Sequence, residues 1–299
     1  MVTGKLRREL ALYIMILPPA AVILIYAYGP MFGLVMAFQK YVPARGILGS
    51  EWIGLDNFRY MVNMPNVFRV LWNTVFIAVM KIVAGLVVPI TAALLLNEVR
   101  SSRFKRVVQT VVYLPHFLSW VILSGILVDV LSPSHGIVNL ALVKVGVEPI
   151  FFLGNDRVFP YTMVATDVWK DFGFGTIIYL AALTAINPEL YEAAIVDGAG
   201  RWRQTFHVTL PGIMSTIVLM TALSLGHVLN AGFEQILNLY SPQVYRTGDI
   251  IDTLLYRIGL INNQYSVSTA VGFFKSVVSF FLIVLSYKLA DRFANYRIF

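Results

Sequence analysis

The residues best placed to do chemistry in this 299-residue chain stand inside long apolar runs. Asp167, Lys170 and Asp171 fall at i, i+3 and i+4, a spacing that puts them on one face of a helix, with Tyr161 and Trp169 in the same segment. His227, Asn230 and Glu234 share a second run, Lys81 and Lys275 stand in two others, and Asp129 sits at the end of another. An ionised group in hydrocarbon is costly, so such residues pair with one another or face a water-filled cavity. The chemistry open to them is therefore ion pairing, or hydrogen bonding to a hydroxyl-rich solute beside aromatic platforms such as Trp169, Phe172 and Phe174. Both readings of the trio stay open: a pair of carboxylates neutralising Lys170 inside a bundle, or the wall of a passage with Asn230 and Glu234 across it. For His116 and His227 a hydrogen bond within the bundle is the simpler account, and His207 falls in a surface stretch. Enzymatic patterns are missing: there is no His-Glu-x-x-His, no Gly-x-Ser-x-Gly, and no glycine-rich loop ending in Gly-Lys-Ser/Thr. With no cysteine, the chain also has no thiolate nucleophile, thiolate metal site or disulfide.

The elements that must position these groups follow from composition. Apolar residues make up 58% of the chain and charged ones only 13%, with a mean hydropathy of +0.73, which excludes an ordinary soluble domain. The formal charge of +7 is scattered over the ends of apolar segments, so it reads as membrane orientation and not as a nucleic-acid surface. About 20 helical residues cross a hydrocarbon core of roughly 30 Å. Six segments meet that length: 11–38, 70–96, 107–131, 158–186, 212–238 and 269–287. The first follows Lys5, Arg7 and Arg8 but is too long for a signal sequence and holds Pro18 and Pro19 without a cleavage pattern after them, so it reads as a retained helix bent at Pro18, Pro19 and Pro30. The expected organisation is a short N-terminus (1–10), a six-helix membrane domain (11–291) and a short C-terminus (292–299).

Basic residues set the orientation. Placing both termini inside puts Lys5, Arg7, Arg8, Arg100, Arg103, Lys105, Arg106, Arg201, Arg203, Lys288, Arg292 and Arg297 on the cytoplasmic side. The longer outer connections then carry Lys40, Arg45, Arg59, Arg69, Lys144, Arg157, Arg246 and Arg257. In the first of these, Asp56 or Asn57 is expected to cap a short helix.

The same arrangement places residues 187–211, NPELYEAAIVDGAGRWRQTFHVTLP, inside. Asn187 is a helix cap with Pro188 at the first position and Glu189 favourably placed against the dipole. That helix is expected to run to about Asp197. Gly198 and Gly200 supply a hinge, and Trp202 and Phe206 form the apolar edge of a second helix that Pro211 ends.

Glu192-Ala193-Ala194, Gly198 after three residues, and Val208-x-Leu210-Pro211 after nine more closely resemble the EAA-x3-G-x9-I-x-LP loop of binding-protein-dependent ABC importer permeases, with Val208 in place of isoleucine. Gly54-Leu55-Asp56-Asn57-Phe58, the stretch from Phe233 to Pro242, Asp252 to Arg257, and Ser268 to Gly272 resemble the carbohydrate branch of that family, the maltose and alginate importers among them. The resemblance covers about residues 10–292 and implies an all-α integral membrane fold of six transmembrane helices with a cytoplasmic coupling helix. Carried over residue by residue, it makes Glu192, Ala193, Ala194, Asp197, Gly198, Val208, Leu210 and Pro211 the contact with an ATPase subunit. It further implies a bacterial inner membrane, a second homologous permease, two ATP-binding subunits that use ATP and Mg, an extracytoplasmic solute-binding protein, and a sugar or oligosaccharide as cargo. The chain itself is expected to be non-catalytic, to bind no cofactor and no nucleic acid. An ion-gradient-driven secondary transporter or channel is the alternative; it would call for an inverted repeat, and none is visible.

Overall fold

The computed structural model describes residues 2–226 and 228–294, with side chains for Leu10, residues 12–226 and residues 228–288, so His227 and Arg297 lie outside the described residues, as do the side chains of Lys5, Arg7, Arg8 and Arg292. In chain order, α1 (Val2–Ile23) continues through a π turn (Leu24–Tyr28) and a 3-10 stretch (Gly29–Phe38). Two short strands, β1 (Gln39–Lys40) and β2 (Glu51–Trp52), precede α2 (Asp56–Val62), α3 (Val67–Glu98), α4 (Ser102–Tyr113), α5 (Trp120–Val130), α6 (Ile137–Lys144) and α7 (Phe159–Thr184). Then come α8 (Pro188–Val196), α9 (Arg201–Gln204), α10 (Met214–Gly226), α11 (Phe233–Leu239), α12 (Ile251–Tyr256) and α13 (Tyr265–Ala294).

Among the described residues, three continuous stretches are long and apolar enough to cross a membrane: Leu12–Phe38, Val67–Glu98 and Tyr265–Lys288. They match the expected segments 11–38, 70–96 and 269–287. Their outward faces carry large apolar side chains such as Met15, Tyr26, Phe32, Phe280 and Phe281, which suits lipid and not water. Helix α7, about 39 Å long at 1.5 Å per residue, covers the fourth segment with the charged trio at its centre.

The two remaining segments are not single straight spans. Residues Ser102–Phe117 and Trp120–Val130 meet at 108°. Pro115 removes a backbone donor there, and Ser119 starts a new helix by accepting from Ile122 N at 3.4 Å. In the 212–238 segment α10 stops at Gly226, Gly232 takes a left-handed φ of +94°, and α11 begins afresh at Phe233. Asn230 thus stands in the break and Glu234 in the first turn of the next helix, so they do not share one helical face.

The chain divides into two compact units, residues 1–67 with 255–274 and residues 68–254 with 275–299. In the smaller unit Phe38 stacks on Trp52 at 5.6 Å and meets Phe58 and Phe273 at 5.3 and 5.9 Å. The strands pair antiparallel, Gln39 with Trp52 and Lys40 with Glu51. Neither residue expected to cap α2 does so: Asp56 pairs instead with Arg59 at 3.1 Å, and the buried Asn57 turns inward to donate to Ala37 O and Gln39 O. In the larger unit Ile77, Leu123, Leu127, Phe159, Met163, Ile236 and Ile250 form one core that joins α3, α5, α7 and α11. A second cluster joins Ala93 to Tyr179, Leu183 and Ile213. Helices α4 and α7 touch backbone to backbone at Gly173, where an added Cβ would lie 2.1 Å from Val112 O.

Candidate functional site

Two sites emerge in the larger unit, a polar band on α7 and the loop between α7 and α10. On α7 the expected trio is divided. Asp167 pairs with Lys81 of α3 at 2.9 Å and not with Lys170. The Lys81 ammonium also donates to Ala231 O at 2.8 Å and to Gln235 Oε1. Gln235, fully buried, donates in turn to Met163 O at 2.8 Å and to Thr166 Oγ1 at 2.7 Å. Lys81, Gln235 and Thr166 were not singled out together by the sequence, because 154 residues separate the first two and only the fold joins them. Each was nonetheless a polar residue in an apolar run, which is the signal that could have found them.

One turn further along α7, Lys170 donates to His116 O at 2.8 Å and lies 3.6 Å from Asp171. Its ammonium stands over the Trp120 ring at 5.6 Å. Asp171 also meets His116 Nδ1 at 2.8 Å, and the His116 ring stacks on Phe174 at 4.2 Å. Here the surface opens: Asp171 is half-exposed, Trp169 is 45% and Phe174 43% exposed. Lys275 forms a third pair, 2.5 Å from Asp252, and donates to Asn230 Oδ1 at 2.9 Å. Glu234 is exposed and stands apart from the α7 pairs, its backbone oxygen accepting from Asn238 Nδ2 at 2.7 Å. The lysines of this band are therefore matched pair by pair with aspartates, with hydroxyl, amide, imidazole and aromatic groups around them. That arrangement can hold a hydroxyl-rich solute and lacks the exposed nucleophile beside a base that bond cleavage needs. Among the described residues no cluster of three or more histidines and carboxylates gathers to hold a metal.

The 187–211 loop folds as its sequence dictates at its start. Asn187 Oδ1 accepts from Glu189 N at 3.0 Å, Pro188 occupies the first turn, and α8 ends at Val196. Asp197 is the C-cap, and Gly198 takes φ +75°, which closes the helix with bonds from Gly198 N to Ile195 O and Ala199 N to Ala194 O. Gly200, by contrast, has φ −68° and is the extended residue before α9. Trp202 and Phe206 stack at 6.3 Å. Pro211 does not end the helix: a π turn carries the chain from Thr205 to Thr209, Pro211 enters the next turn where no N–H is required of it, and the bend of 58° comes at Ile213. Glu192, Ala193, Asp197, Gly198 and Pro211 are exposed, while Ala194, Val208 and Leu210 are half-buried. Tyr191 and Thr209 tie the two limbs by a 3.0 Å hydroxyl contact, and Arg201 reaches Glu98 at the end of α3 at 3.3 Å. Between them lies a cavity of about 340 Å³ lined by Leu94, Leu95, Tyr191 and Trp202 among others.

Comparison with known proteins adds the identity. Residues 85–295 match the family described as binding-protein-dependent transport system inner membrane component. A polygalacturonan/rhamnogalacturonan transport system permease protein, YteP of Bacillus subtilis (strain 168), is 44% identical over 99% of this chain and 92% of its own length. Protein LplB of the same organism is 40% identical over 99% and 93%. The crystal structure of a bacterial ABC transporter involved in the import of the acidic polysaccharide alginate contains a chain that superposes with a TM-score of 0.90, at 40% identity, over 98% of this chain and 99% of that one. The chain belongs to the binding-protein-dependent inner membrane component family, and it is a membrane-embedded permease subunit of an ATP-driven ABC importer.

Proposed function

We propose that this permease forms half of the passage for an oligosaccharide and passes the work of ATP hydrolysis to that passage through residues 187–211. The observation that carries the proposal is the loop: a capped, ordered helix-turn-helix that presents Leu190, Ile195, Val196, Trp202 and Phe206 outward, each more than half exposed. An apolar edge of that kind, beside the charges of Glu192 and Asp197, fits the cleft of another subunit. Two ATP-binding subunits, which take up ATP and Mg themselves, a second homologous permease and an extracytoplasmic solute-binding protein complete the complex. A comparison structure supports the last of these, being an alginate transporter in complex with an alginate pentasaccharide-bound periplasmic protein, 39% identical to this chain with a TM-score of 0.88. The cargo is a sugar chain: one relative above is named for polygalacturonan and rhamnogalacturonan, and a comparison structure for the acidic polysaccharide alginate.

The six-span topology with both termini and the 187–211 loop in the cytoplasm is part of the same proposal. The chain has no cysteine, so Gly200→Cys is a clean probe at an exposed position. An impermeant thiol reagent added outside intact cells is expected to leave it unlabelled, whereas labelling from outside refutes this orientation.

Path and coupling roles are told apart by measuring uptake and ATPase rate together on purified complexes in liposomes, with tritiated oligogalacturonides and malto-oligosaccharides as probes. Trp169→Ala removes a half-exposed aromatic beside the polar band; it is expected to slow uptake while the solute-binding protein still stimulates ATPase. Gly198→Val forces a β-branched residue to φ +75° and is expected to loosen the ATPase subunits or to leave ATP hydrolysis without uptake. Native uptake in both variants refutes the proposal.

A further inference from the structure

At two interruptions of apolar helices in the larger unit a backbone carbonyl is held by a lysine. At the first, α4 runs into the turn Leu114–Phe117, and Lys170 Nζ donates to His116 O at 2.8 Å. At the second, between α10 and α11, Lys81 Nζ donates to Ala231 O at 2.8 Å. Both lysine side chains are nine-tenths buried, 10% and 9% exposed. Both are paired with aspartates of α7, Lys81 with Asp167 and Lys170 with Asp171. Those aspartates are four residues apart, about one helical turn, so a single helix holds both breaks at adjacent levels.

A broken helix leaves carbonyls without an intrahelical N–H, and hydrocarbon offers no water in exchange. A neutral hydroxyl or amide could fill that need. An ammonium does something further, because its three donors can serve a carbonyl and a counter-ion at once. Lys81 uses them on Asp167, Ala231 O and Gln235.

We infer that Lys81 and Lys170 are positioning residues of the transport path, which fix the two broken segments by holding the Ala231 and His116 carbonyls, while Asp167 and Asp171 supply the charge that lets an ammonium sit there. The inference rests on the path assignment above. What the breaks present follows from the hold. The His116 ring is carried by the residue whose carbonyl Lys170 grips, and it stands between Asp171 and Phe174. Asn230, adjacent to the carbonyl that Lys81 grips, reaches Lys275 at 2.9 Å.

Charge balance and positioning are separated by removing each pair whole. Lys81→Met with Asp167→Asn, and Lys170→Met with Asp171→Asn, leave no unpaired buried charge, so the complex is expected to assemble in near-native yield. Losing the carbonyl contact is nevertheless expected to lower the maximal uptake rate roughly tenfold per assembled complex, and to lower the sugar moved per ATP hydrolysed. The assay uses the whole complex in liposomes and a mixed tritiated pool of oligogalacturonides and malto-oligosaccharides. Native uptake in assembled double variants would mean that the lysines only neutralise the aspartates, and it overturns the inference. Failure of both double variants to assemble overturns it too, since it makes the contacts structural. Trp169→Ala reads the path assignment separately: unaltered uptake there, beside slowed double variants, removes the path reading and leaves the positioning role.

Discussion

Gly173→Ala is expected to destabilise the permease by driving two helix backbones apart. The added Cβ would meet Val112 O at 2.1 Å and Val112 C at 2.6 Å, both backbone atoms of α4 that no rotamer change can move aside. Helices α4 and α7 would have to part by an ångström or more. Small residues at such crossings are what let membrane helices pack, because lipid supplies no hydrophobic push to compensate. An overpacking cost of about 3 kcal/mol is expected. It should appear as a lower unfolding temperature of the detergent-purified complex and a poorer yield. A variant that keeps the native unfolding temperature would show that the two backbones are not in contact.

Gly232→Ala is expected to have an effect at least as large by a different route. Gly232 sits at φ +94°, a conformation that costs an L-residue roughly 1–2 kcal/mol. Its new Cβ would also lie 2.5 Å from Lys81 Nζ, which three acceptors pin in place. Displacing that ammonium leaves Asp167 short of its counter-ion, a further loss on the order of 3–5 kcal/mol if the pair is broken outright. Asparagine distinguishes strain from collision, because it tolerates a left-handed backbone but carries the same Cβ. Gly232→Asn should therefore lower the unfolding temperature and yield of the complex as much as alanine should. Gly198→Asn should not, since nothing lies within 4 Å of a Cβ built at Gly198. Equal behaviour of the two asparagine variants would refute this explanation.

How far the sequence could be read depended on the range of the interaction. The lipid-facing stretches 12–38, 67–98 and 265–288 were legible because length and apolarity suffice for them. Asn187, Pro188 and Gly198 were legible because caps and left-handed glycines act over a few residues. The breaks at Leu114–Ser119 and 228–232 were not. Pro115 and Gly232 are visible in the sequence, but a hydropathy window runs straight through both, and what makes an interruption tolerable is a lysine 54 or 150 residues away. The trio on α7 is divided for the same reason: Lys170 keeps Asp171 at 3.6 Å, as the spacing allowed, whereas the fold brings Lys81 of α3 to Asp167.

The Lys81 network also has a consequence for biosynthesis. The counter-ion of Lys81 lies 86 residues downstream, so at ordinary rates of chain elongation it is made roughly 4–17 s after the lysine itself. During that interval α3 carries a bare ammonium among apolar residues, which costs it about 3 kcal/mol at the centre of a membrane helix. The rest of α3 is apolar enough to enter the bilayer regardless, but its lysine has no settled place until α7 arrives. Gln235, the last acceptor, follows still later. Nascent chains truncated between α3 and α7 should accordingly stay in contact with the insertion machinery, and release should coincide with the emergence of Asp167. On that expectation, the pair that joins α3 to α7 in the finished protein also times the release of α3 from the translocon.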